Sequence, residues 1–458
     1  MISLYRIQYY LVTASLFLLP FNSLPVFNYA LGEATGEGAL YPLFFGCLIY
    51  GAYVTVSLMY SGKLQVKNKQ ILLIVICFLF VTFVSYIYNV NSIYNNLYLG
   101  KNGLVRYWTQ YSLLLFVMFS VFYISSVIRD EEDLKRLINV CSYTFILVFL
   151  FSILQFYAYY FKVGFALYNL IGGYIYEEGV IEYALERRAG LGLHSVSQEP
   201  SFLAMYVAVV FPYVVLSKSN VMLRIVFFSL GVALIVLTWS RTAYVIFVFQ
   251  LLLICFLYYF HYISLKRIVF YIPLFFIFVA LVLFTESKLS LILMSVIDVE
   301  NSGSSAARLG AAYSAMVLWF DGHSLLGVGL GQAGYYLIDY LPQWAFLSGD
   351  AYDVVNGVRW PPIHNFWIRL LAEVGVIGVL LFLMLFMYIV IKVNRVVKEK
   401  YLFNKEKDFI GYAVLTSLVG AFLIMFNRET ITNMNVWVSL GFALGYLNIN
   451  KRNAWSER

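Results

Sequence analysis

The sequence predicts an all-α protein that crosses a membrane about twelve times, and three observations lead to this prediction. Of its 458 residues, 62% are hydrophobic and only 12% are charged, about half the charged share of an ordinary soluble domain. The apolar residues come in runs of about 20, the length of one helical crossing of a bilayer. The basic residues are concentrated in alternate gaps between these runs. Together these patterns exclude a water-soluble globule.

The predicted spans are apolar runs separated by charged or turn-forming residues. The first run continues past Leu18 without a small-residue cleavage pattern, so we interpret it as a retained span and not as a signal peptide. An even number of spans places both termini on one side of the membrane. The predicted spans cover residues 7–24, 39–60, 70–88, 109–128, 137–161, 201–217, 225–240, 242–263, 268–285, 366–391, 409–426 and 434–449.

Basic residues give the predicted orientation, because Lys and Arg resist translocation and accumulate in cytoplasmic segments. With both termini inside, 20 of the 31 basic residues but only 8 of the 24 acidic residues fall on the inner side. The net charge of +7 therefore follows from the topology, and it does not indicate a nucleic-acid partner.

Two outer segments are long, 162–200 and 286–365, but both are loops between spans. We therefore expect residues 1–458 to form a single transmembrane domain. The cysteines all lie in apolar runs and form no C-x-x-C pair, so neither a disulfide framework nor a zinc site is expected. They are Cys47, Cys77, Cys141 and Cys255.

A helix is predicted at about 306–320, inside the longer outer segment. Ser304 and Ser305 precede it as candidate N-caps, and its apolar character suits a position at the membrane interface. Arg308 would then lie in the first turn. Its guanidinium could reach lipid headgroups or clamp a phosphate, since it is always charged and offers paired donors.

A glycine-rich stretch follows this helix, Gly327-Val328-Gly329-Leu330-Gly331-Gln332-Ala333-Gly334. It contains G-x-G-x-x-G, but no predicted strand of a βαβ unit precedes it and it faces the outer side, so a dinucleotide site is not expected. The glycines instead favour a tight turn or the close approach of two backbones.

The longer outer segment ends at Pro361-Pro362-Ile363-His364-Asn365, directly before the tenth span. The two prolines and the helix start hold His364 at the outer membrane surface. Its imidazole either satisfies interfacial hydrogen bonds or acts as a general base, because it titrates near neutral pH. Arg369 and Glu373 follow with i, i+4 spacing on one helix face, which predicts a structural ion pair.

Other polar residues interrupt the apolar pattern near the outer ends of spans. Arg241 is the only charged residue between Ile225 and Phe260, so it marks an outer turn or an intramembrane polar site, and it is a functional candidate. Glu199 precedes a span that starts at Pro200, where it either complements the helix dipole or takes part in chemistry. Further candidates on the outer face are Arg187, Arg188, His194, His323, Arg359, Asn365 and Arg428.

These residues resemble one known family. His364-Asn365, followed after nine residues by Gly375-Val376-Ile377-Gly378, is similar to the signature of the O-antigen ligase and O-antigen polymerase superfamily. Arg308 and the stretch Ser324-Leu325-Leu326-Gly327-Val328-Gly329-Leu330-Gly331 resemble the family's large periplasmic loop between the ninth and tenth spans. The local motifs cover about residues 238–378, and the twelve-span topology agrees over the whole chain.

The resemblance implies an inverting glycosyltransferase of the bacterial inner membrane, of GT-C-like architecture, that builds surface polysaccharide at the periplasmic face. His364 would be the essential histidine and general base, and Arg308 and Arg241 would face the diphosphate of the donor, whose growing charge they could stabilise. Glu199 joins these three as a catalytic candidate. The implied partners are donor and acceptor glycans linked to undecaprenyl diphosphate, membrane lipids and a chain-length regulator.

The identity of the acceptor leaves alternatives open. Gln198-Glu199-Pro200-Ser201 is more similar to the polymerases than to the ligases of the superfamily, so we favour a polymerase that joins lipid-linked repeat units. A ligase would instead transfer the glycan to lipid A-core. A transporter or flippase is the rival from another class, but transporters tend to have inverted repeats and interrupted helices at the midplane. Here the unusual charges lie at the outer ends of spans.

No cofactor and no metal ion are expected. The carboxylate pair nearest to Arg308 in the sequence is Asp298 with Glu300, and a looser pair is Asp350 with Asp353. We interpret both pairs as solvated loop residues. With two arginines to offset the charge of a diphosphate, a divalent cation bound by carboxylates would be redundant.

Overall fold

The computed structural model describes residues 4–22, 24, 37–61, 68–176, 192–263, 303–347, 349–358, 360–405 and 407–456. Within these ranges the only strands are β1 (Leu97–Tyr98) and β2 (Lys101–Asn102), which form a short antiparallel hairpin. The α-helices are α1 (Leu4–Leu18), α2 (Leu40–Ser61), α3 (Lys69–Tyr88), α4 (Val90–Asn95), α5 (Gly103–Val127), α6 (Glu131–Phe156), α7 (Phe165–Ile175), α8 (Pro200–Leu216), α9 (Val221–Thr238), α10 (Arg241–Phe260), α11 (Gly303–Phe320), α12 (Gly349–Val355), α13 (Phe366–Asn404), α14 (Phe409–Ile424) and α15 (Met434–Ser456). The predicted all-α class is confirmed.

The lengths and composition of the helices fit a polytopic membrane protein. Seven described helices are long and apolar enough to cross a membrane, namely α2, α3, α5, α6, α9, α10 and α13. Helices α8 and α14 are shorter, at 17 and 16 residues, and neighbouring helices bury most of their side chains. A helix that is apolar on all sides is stable in such a buried position.

The ends of the long described helices meet in two groups, one at each end of the bundle. At one end, the Tyr5 hydroxyl donates to Asp133 at 2.6 Å, and the Asn68 amide donates to Asn448 at 3.0 Å. The start of α1 and the C-terminal part of α15 therefore share this end, as an even number of spans requires. We call it the basic end, because it carries the lysine-rich C-terminal turns of α13. The candidate site residues lie at the opposite end.

Several boundaries differ from the predictions. Helix α1 ends at Leu18, so the first predicted span, 7–24, is too long. Helix α11 begins at Gly303. Ser304 and Ser305 therefore lie inside its first turn and do not precede it as N-caps, and Arg308 lies in the second turn. Helix α7 occupies part of the predicted outer segment 162–200, where no helix was expected. The predicted span at 268–285 lies outside the described residues.

Helix α13 is interrupted at Gly375, where the backbone is non-helical (φ 72°, ψ −177°). Residues 324–329 enter this break. The N–H groups of Val328 and Gly329 donate to the carbonyls of Ala372 and Glu373, both at 2.9 Å. Backbone groups inside a membrane must find partners within the protein. At the break, the carbonyl groups of Ala372 and Glu373 therefore accept hydrogen bonds from the inserted loop.

The glycines of this region are required by the close contact between the two backbones. A Cβ atom at Gly375 would overlap the carbonyl group of Leu325, and a Cβ atom at Gly327 would overlap the backbone of Glu373. Both residues also have positive φ angles, which glycine adopts at little cost. The prediction that the glycine-rich stretch allows close backbone approach is therefore confirmed.

Candidate functional site

His364 lies in the short extended segment that leads into α13. Its backbone is left-handed, with φ 59°, a conformation that is uncommon for residues other than glycine. The His364 N–H donates to Oε2 of Glu429 at 3.1 Å, and the Ile363 N–H donates to the same oxygen. Asn365 caps α13, since its side-chain oxygen accepts from the Ile368 N–H at 3.1 Å. The histidine is thus held at a defined position before the helix.

His364 lines an open cleft between α11 and the Pro361-Pro362 segment. Among the described lining residues it carries the only polar side chain. The remaining walls are apolar and comprise Ala307, Ala311, Leu337, Ile338, Leu341, Ala351, Val354, Pro361 and Pro362. Apolar walls limit access of water to the imidazole and strengthen electrostatic interactions beside it.

Arg308 follows Ala307 on α11 and is exposed. Its Nη1 atom donates to the side-chain oxygen of Asn427 at 3.3 Å. Asn427 lies in the loop between α14 and α15, two residues before Glu429. We call residues 427–429 the anchor turn. It contacts Arg308 through Asn427 and His364 through Glu429.

Arg428, the middle residue of the anchor turn, lies over Phe202 of α8, with its guanidinium carbon 3.8 Å from the ring centroid. Its Nε atom donates to the Thr430 hydroxyl at 3.2 Å. The anchor turn therefore brings together α8, α11 and the start of α13. Arg428 was a candidate from the sequence, whereas Asn427 and Glu429 were not, although all three lie between two predicted spans.

Glu199 and Arg241 lie at the same end of the bundle as His364. Glu199 is exposed at the N-terminus of α8, where its carboxylate accepts from the Ser201 hydroxyl at 3.2 Å and caps no backbone N–H. Arg241 is the first residue of α10, directly after a turn that is capped by Ser240. Of the two interpretations of Arg241, the structure therefore favours a turn between two helices. The Leu193 N–H donates to the Leu237 carbonyl at 2.7 Å, which joins the segment before α8 to this turn.

Part of the chain is similar to a known family. A family model described as O-antigen ligase matches residues 225–383, a range that contains Arg241, Arg308, His364 and the glycine-rich stretch. This match over about a third of the chain supports the resemblance to the O-antigen polymerase and ligase superfamily. The apolar helices indicate an integral membrane protein, and the matched family implies glycosyl transfer. No curated protein matches the chain. Glu199 and the anchor turn lie outside the matched range.

The charged pair Arg369 and Glu373 is structural. Arg369 and Glu373 form the predicted ion pair at 3.1 Å, and their side chains are only 5% and 3% exposed. Arg369 also donates to the backbone carbonyl of Glu429 at 3.1 Å and to Gln110 at 3.0 Å. The pair is confirmed, and through Arg369 it fixes the anchor turn to α13.

His194 is buried in the segment before α8 and has no access to the cleft of His364. Its Nδ1 atom lies 2.7 Å from the Ser197 carbonyl, and its backbone N–H donates to Gln155 at 3.1 Å. Burial lowers the pKa of His194 to about 4. The histidine anchors this segment against α6 and is neutral at physiological pH.

The other candidates are less well defined by the structure. His323 is part-exposed after α11, and its carbonyl accepts from the Gly327 N–H at 2.9 Å. Arg187, Arg188 and Arg359 lie outside the described residues, as do Asp298 and Glu300. Within the described ranges, no three His, Cys, Asp or Glu residues are grouped so that they could hold a metal ion.

Proposed function

We propose that the protein is an O-antigen polymerase, which joins oligosaccharide repeat units linked to undecaprenyl diphosphate. The observation that carries the proposal is the anchor turn, which links Arg308 through Asn427 and His364 through Glu429. One short segment thereby holds both Arg308, whose guanidinium can bind a diphosphate, and His364, whose imidazole can accept a proton.

In the proposed reaction, Arg308 and Arg241 bind the diphosphate of the donor. The acceptor hydroxyl attacks the anomeric carbon from the face opposite the leaving group, and His364 takes its proton. The bond between the anomeric carbon and the phosphate oxygen breaks, and undecaprenyl diphosphate leaves with the electron pair. The guanidinium groups stabilise the charge that develops on the leaving oxygen. Attack from the opposite face inverts the anomeric configuration.

The proposed orientation follows from charge. The basic end would face the cytoplasm by the positive-inside rule, with both termini there, and the site would face the periplasm of the bacterial inner membrane. The periplasm contains no pool of nucleotide sugars, so the free energy of transfer must arrive with the donor. A lipid diphosphate satisfies this requirement because it is already an activated leaving group.

Two observations favour different acceptors. Gln198-Glu199-Pro200-Ser201 at the start of α8 supports polymerisation on a second lipid-linked unit. The matching family model is described as O-antigen ligase, which supports the second candidate, a ligase that transfers the glycan to lipid A-core.

The test is incubation of purified protein with lipid-linked repeat unit, with and without lipid A-core, followed by separation of the products by chain length. A polymerase lengthens the lipid-linked chain without lipid A-core. A ligase forms product only when lipid A-core is added. If neither product forms with a protein that remains folded, the proposed donor is wrong. His364→Ala should abolish product while the thermal unfolding midpoint stays close to that of the wild type.

A further inference from the structure

A second group of cations lies at the end of the bundle opposite the basic end. Lys101 belongs to β2, and Arg106 lies in the first turn of α5. Both side chains lie over the ring of Trp360, with Nζ of Lys101 5.1 Å and the guanidinium carbon of Arg106 3.7 Å from the ring centroid. We call these three residues the Trp360 cluster. The predicted topology places both cations on the outer side, where basic residues are in the minority, so their positions need a reason.

Arg106 is held in one orientation. Its Nε atom donates to the Gly331 carbonyl at 2.8 Å, and its guanidinium lies at cation–π distance from Trp360. Because a guanidinium is planar and rigid, these two contacts also fix the direction in which its terminal Nη groups donate. Paired donors in a fixed geometry suit the oxygens of a phosphate.

The β1–β2 hairpin places Lys101 beside this guanidinium. The Lys101 carbonyl accepts from the Tyr335 hydroxyl at 2.9 Å, and the Tyr98 hydroxyl donates to the Val354 carbonyl at 2.6 Å. The hairpin is therefore attached to the longer outer segment, while Lys101 itself is exposed. An exposed ammonium on a flexible stem can adjust to a phosphate that a neighbouring guanidinium orients.

The Trp360 cluster and Arg308 are both next to residues of the same apolar cleft. Ala307, which precedes Arg308, and Pro361, which follows Trp360, line this cleft. Val354, whose carbonyl accepts from the hairpin, lines it as well. Two groups of cations thus adjoin one cleft, one on α11 and the other on the hairpin and α5.

The surface of α5 beside Arg106 suits a lipid chain. Val105 and Trp108 are 66% and 43% exposed, and Leu115, further along α5, is 41% exposed. Their spacing places these three side chains on one face of the helix, and α5 is long and apolar enough to cross a membrane. A prenyl chain that lies along this face brings its diphosphate to the cations at the outer end of α5.

The proposed polymerisation needs two sites for a diphosphate. Donor and acceptor are both linked to undecaprenyl diphosphate, and two such anions repel each other unless separate cations bind them. Arg308 and Arg241 are assigned to the donor. In an oligosaccharide acceptor, the first sugar carries the diphosphate on its anomeric carbon, whereas the attacking hydroxyl belongs to a sugar further along. The acceptor diphosphate therefore requires a site apart from the His364 imidazole.

We infer that the Trp360 cluster binds the diphosphate of the acceptor lipid, whose prenyl chain lies along α5. The inference rests on the proposed function. Lys101 and Arg106 supply the positive charge, and Trp360 with the Gly331 carbonyl holds the guanidinium in place. A ligase, whose acceptor has no prenyl diphosphate, would not use this site.

The first experiment counts bound lipids without turnover. Undecaprenyl diphosphate without sugar is titrated into the full-length protein in detergent, and native mass spectrometry gives the number of lipids on each chain. The wild type should bind two. Lys101→Gln should raise the Kd of one of them about tenfold, the effect of losing one charged hydrogen bond, and Lys101→Arg should restore it.

Lys162→Gln is the matched control, because Lys162 is also an exposed lysine beside an aromatic ring, 5.5 Å from the centroid of Phe165. It should bind both lipids as the wild type does. A single lipid on the wild type, or an unchanged Kd for both lipids in Lys101→Gln, overturns the inference.

Inorganic pyrophosphate distinguishes a lipid site from a site for free phosphate. It carries the same anionic group without a prenyl chain, so it should displace the second lipid only at a concentration at least about a hundredfold higher than undecaprenyl diphosphate requires. Displacement at equal concentrations would overturn the assignment to a lipid.

The second experiment compares two acceptors in one reaction. Lipid-linked repeat unit, which serves as donor and acceptor, is mixed with labelled repeat-unit oligosaccharide that carries no diphosphate. Lys101→Gln should lower the ratio of lipid-linked to oligosaccharide product about tenfold relative to the wild type. A merely structural role of Lys101 would lower both products equally, and an unchanged ratio overturns the inference. If the wild type binds two lipids but extends neither acceptor, the proposed polymerase is wrong and the diphosphate site is retained.

Discussion

The carboxylate of Glu429 holds the backbone of His364, with Oε2 of Glu429 lying 3.1 Å from the His364 nitrogen. The same oxygen accepts the N–H of Ile363. A left-handed backbone at a residue other than glycine costs about 1–3 kcal/mol, so it persists only where surrounding contacts impose it. Glu429 supplies these contacts and is itself fixed by Arg369. The buried ion pair of α13 thus acts on the candidate base through the anchor turn.

Glu429→Ala should lower the kcat of glycan transfer at least about tenfold, because loss of a supporting hydrogen-bond partner lets a catalytic group move. The free energy of unfolding should fall by only about 1–2 kcal/mol. Transfer rates at saturating donor and acceptor measure the first effect. Glu399→Ala, which removes an exposed carboxylate at the basic end, is the control. An unchanged kcat for Glu429→Ala would show that the anchor turn does not position His364.

Arg308→Lys should raise the KM for the lipid-diphosphate donor about tenfold, because lysine lacks the planar pair of donors that fits a phosphate. Arg241→Lys should behave in the same way if both guanidiniums bind the diphosphate. Arg395→Lys at the basic end is the matched control. Kinetics at varied donor concentration provide the measurement, and normal donor KM values in both variants would count against the arginine clamp.

Gly375→Ala should destabilise the protein by more than about 3 kcal/mol, since the new Cβ meets the Leu325 carbonyl and the backbone angle is left-handed. Gly51→Ala is the control, because a Cβ there lies 3.8 Å from the Phe119 ring in ordinary contact. Thermal unfolding in detergent compares the two variants. Equal midpoints would show that the loop at 324–329 does not depend on this break in α13.

The stability of the protein should depend on His194 in acid. Its folded pKa of about 4 lies below the unfolded value of 6.5, so the unfolded chain binds the proton first. The resulting stability is present above pH 6.5 and is lost as the pH falls towards 4, by about 3 kcal/mol in all. Between pH 7 and pH 4.5, the thermal unfolding midpoint of His194→Gln should therefore fall by less than that of the wild type. A parallel loss in both proteins would exclude His194 as the cause.

Transfer activity should survive excess EDTA, because the proposed mechanism offsets the diphosphate charge with arginines. Asp298→Asn combined with Glu300→Gln should change the rate less than about twofold, because the proposed mechanism uses neither carboxylate. Assays before and after chelation, with Mg²⁺ or Mn²⁺ added back, provide the measurement. Loss of activity in EDTA that either ion restores would replace the arginine clamp with a metal site.

Glu37 should give the stability of the protein a second pH dependence, of opposite sign to that from His194. Burial raises the folded pKa of Glu37 to about 7 from its ordinary value of 4.5, so the folded state retains a proton that the unfolded chain releases. Stability from this group is complete below pH 4.5 and is lost as the pH rises through 7. Glu37→Gln, which stays neutral, should unfold at a higher temperature than wild type at pH 8 and at a similar temperature at pH 4.5. Equal midpoints at pH 8 would contradict this assignment.

The sequence by itself determined the features that depend on local pattern. Runs of apolar residues predicted the helices because each crossing must bury its backbone polar groups within one continuous segment, and the i, i+4 spacing of Arg369 and Glu373 predicted their ion pair. The glycines of the stretch 327–334 indicated a tight turn or close backbone approach, and His364 was predicted from its place before a span. Helix starts were less accurate, as the N-caps expected at Ser304 and Ser305 show, because short polar residues occur both before and within first turns.

Only the tertiary structure decided which distant residues meet. Glu429 lies 65 residues from His364 and Asn427 lies 119 residues from Arg308, so no local spacing relates them. Glu37, which lies before α2, likewise shares a recess with Phe202 of α8 and Asn435 of α15. Such contacts depend on how the helices pack, and packing is set by side-chain shape and by the satisfaction of buried polar groups across the whole bundle. Hydrophobic periodicity shows only which face of each helix is apolar. It therefore does not predict which residues contact the polar end of a helix.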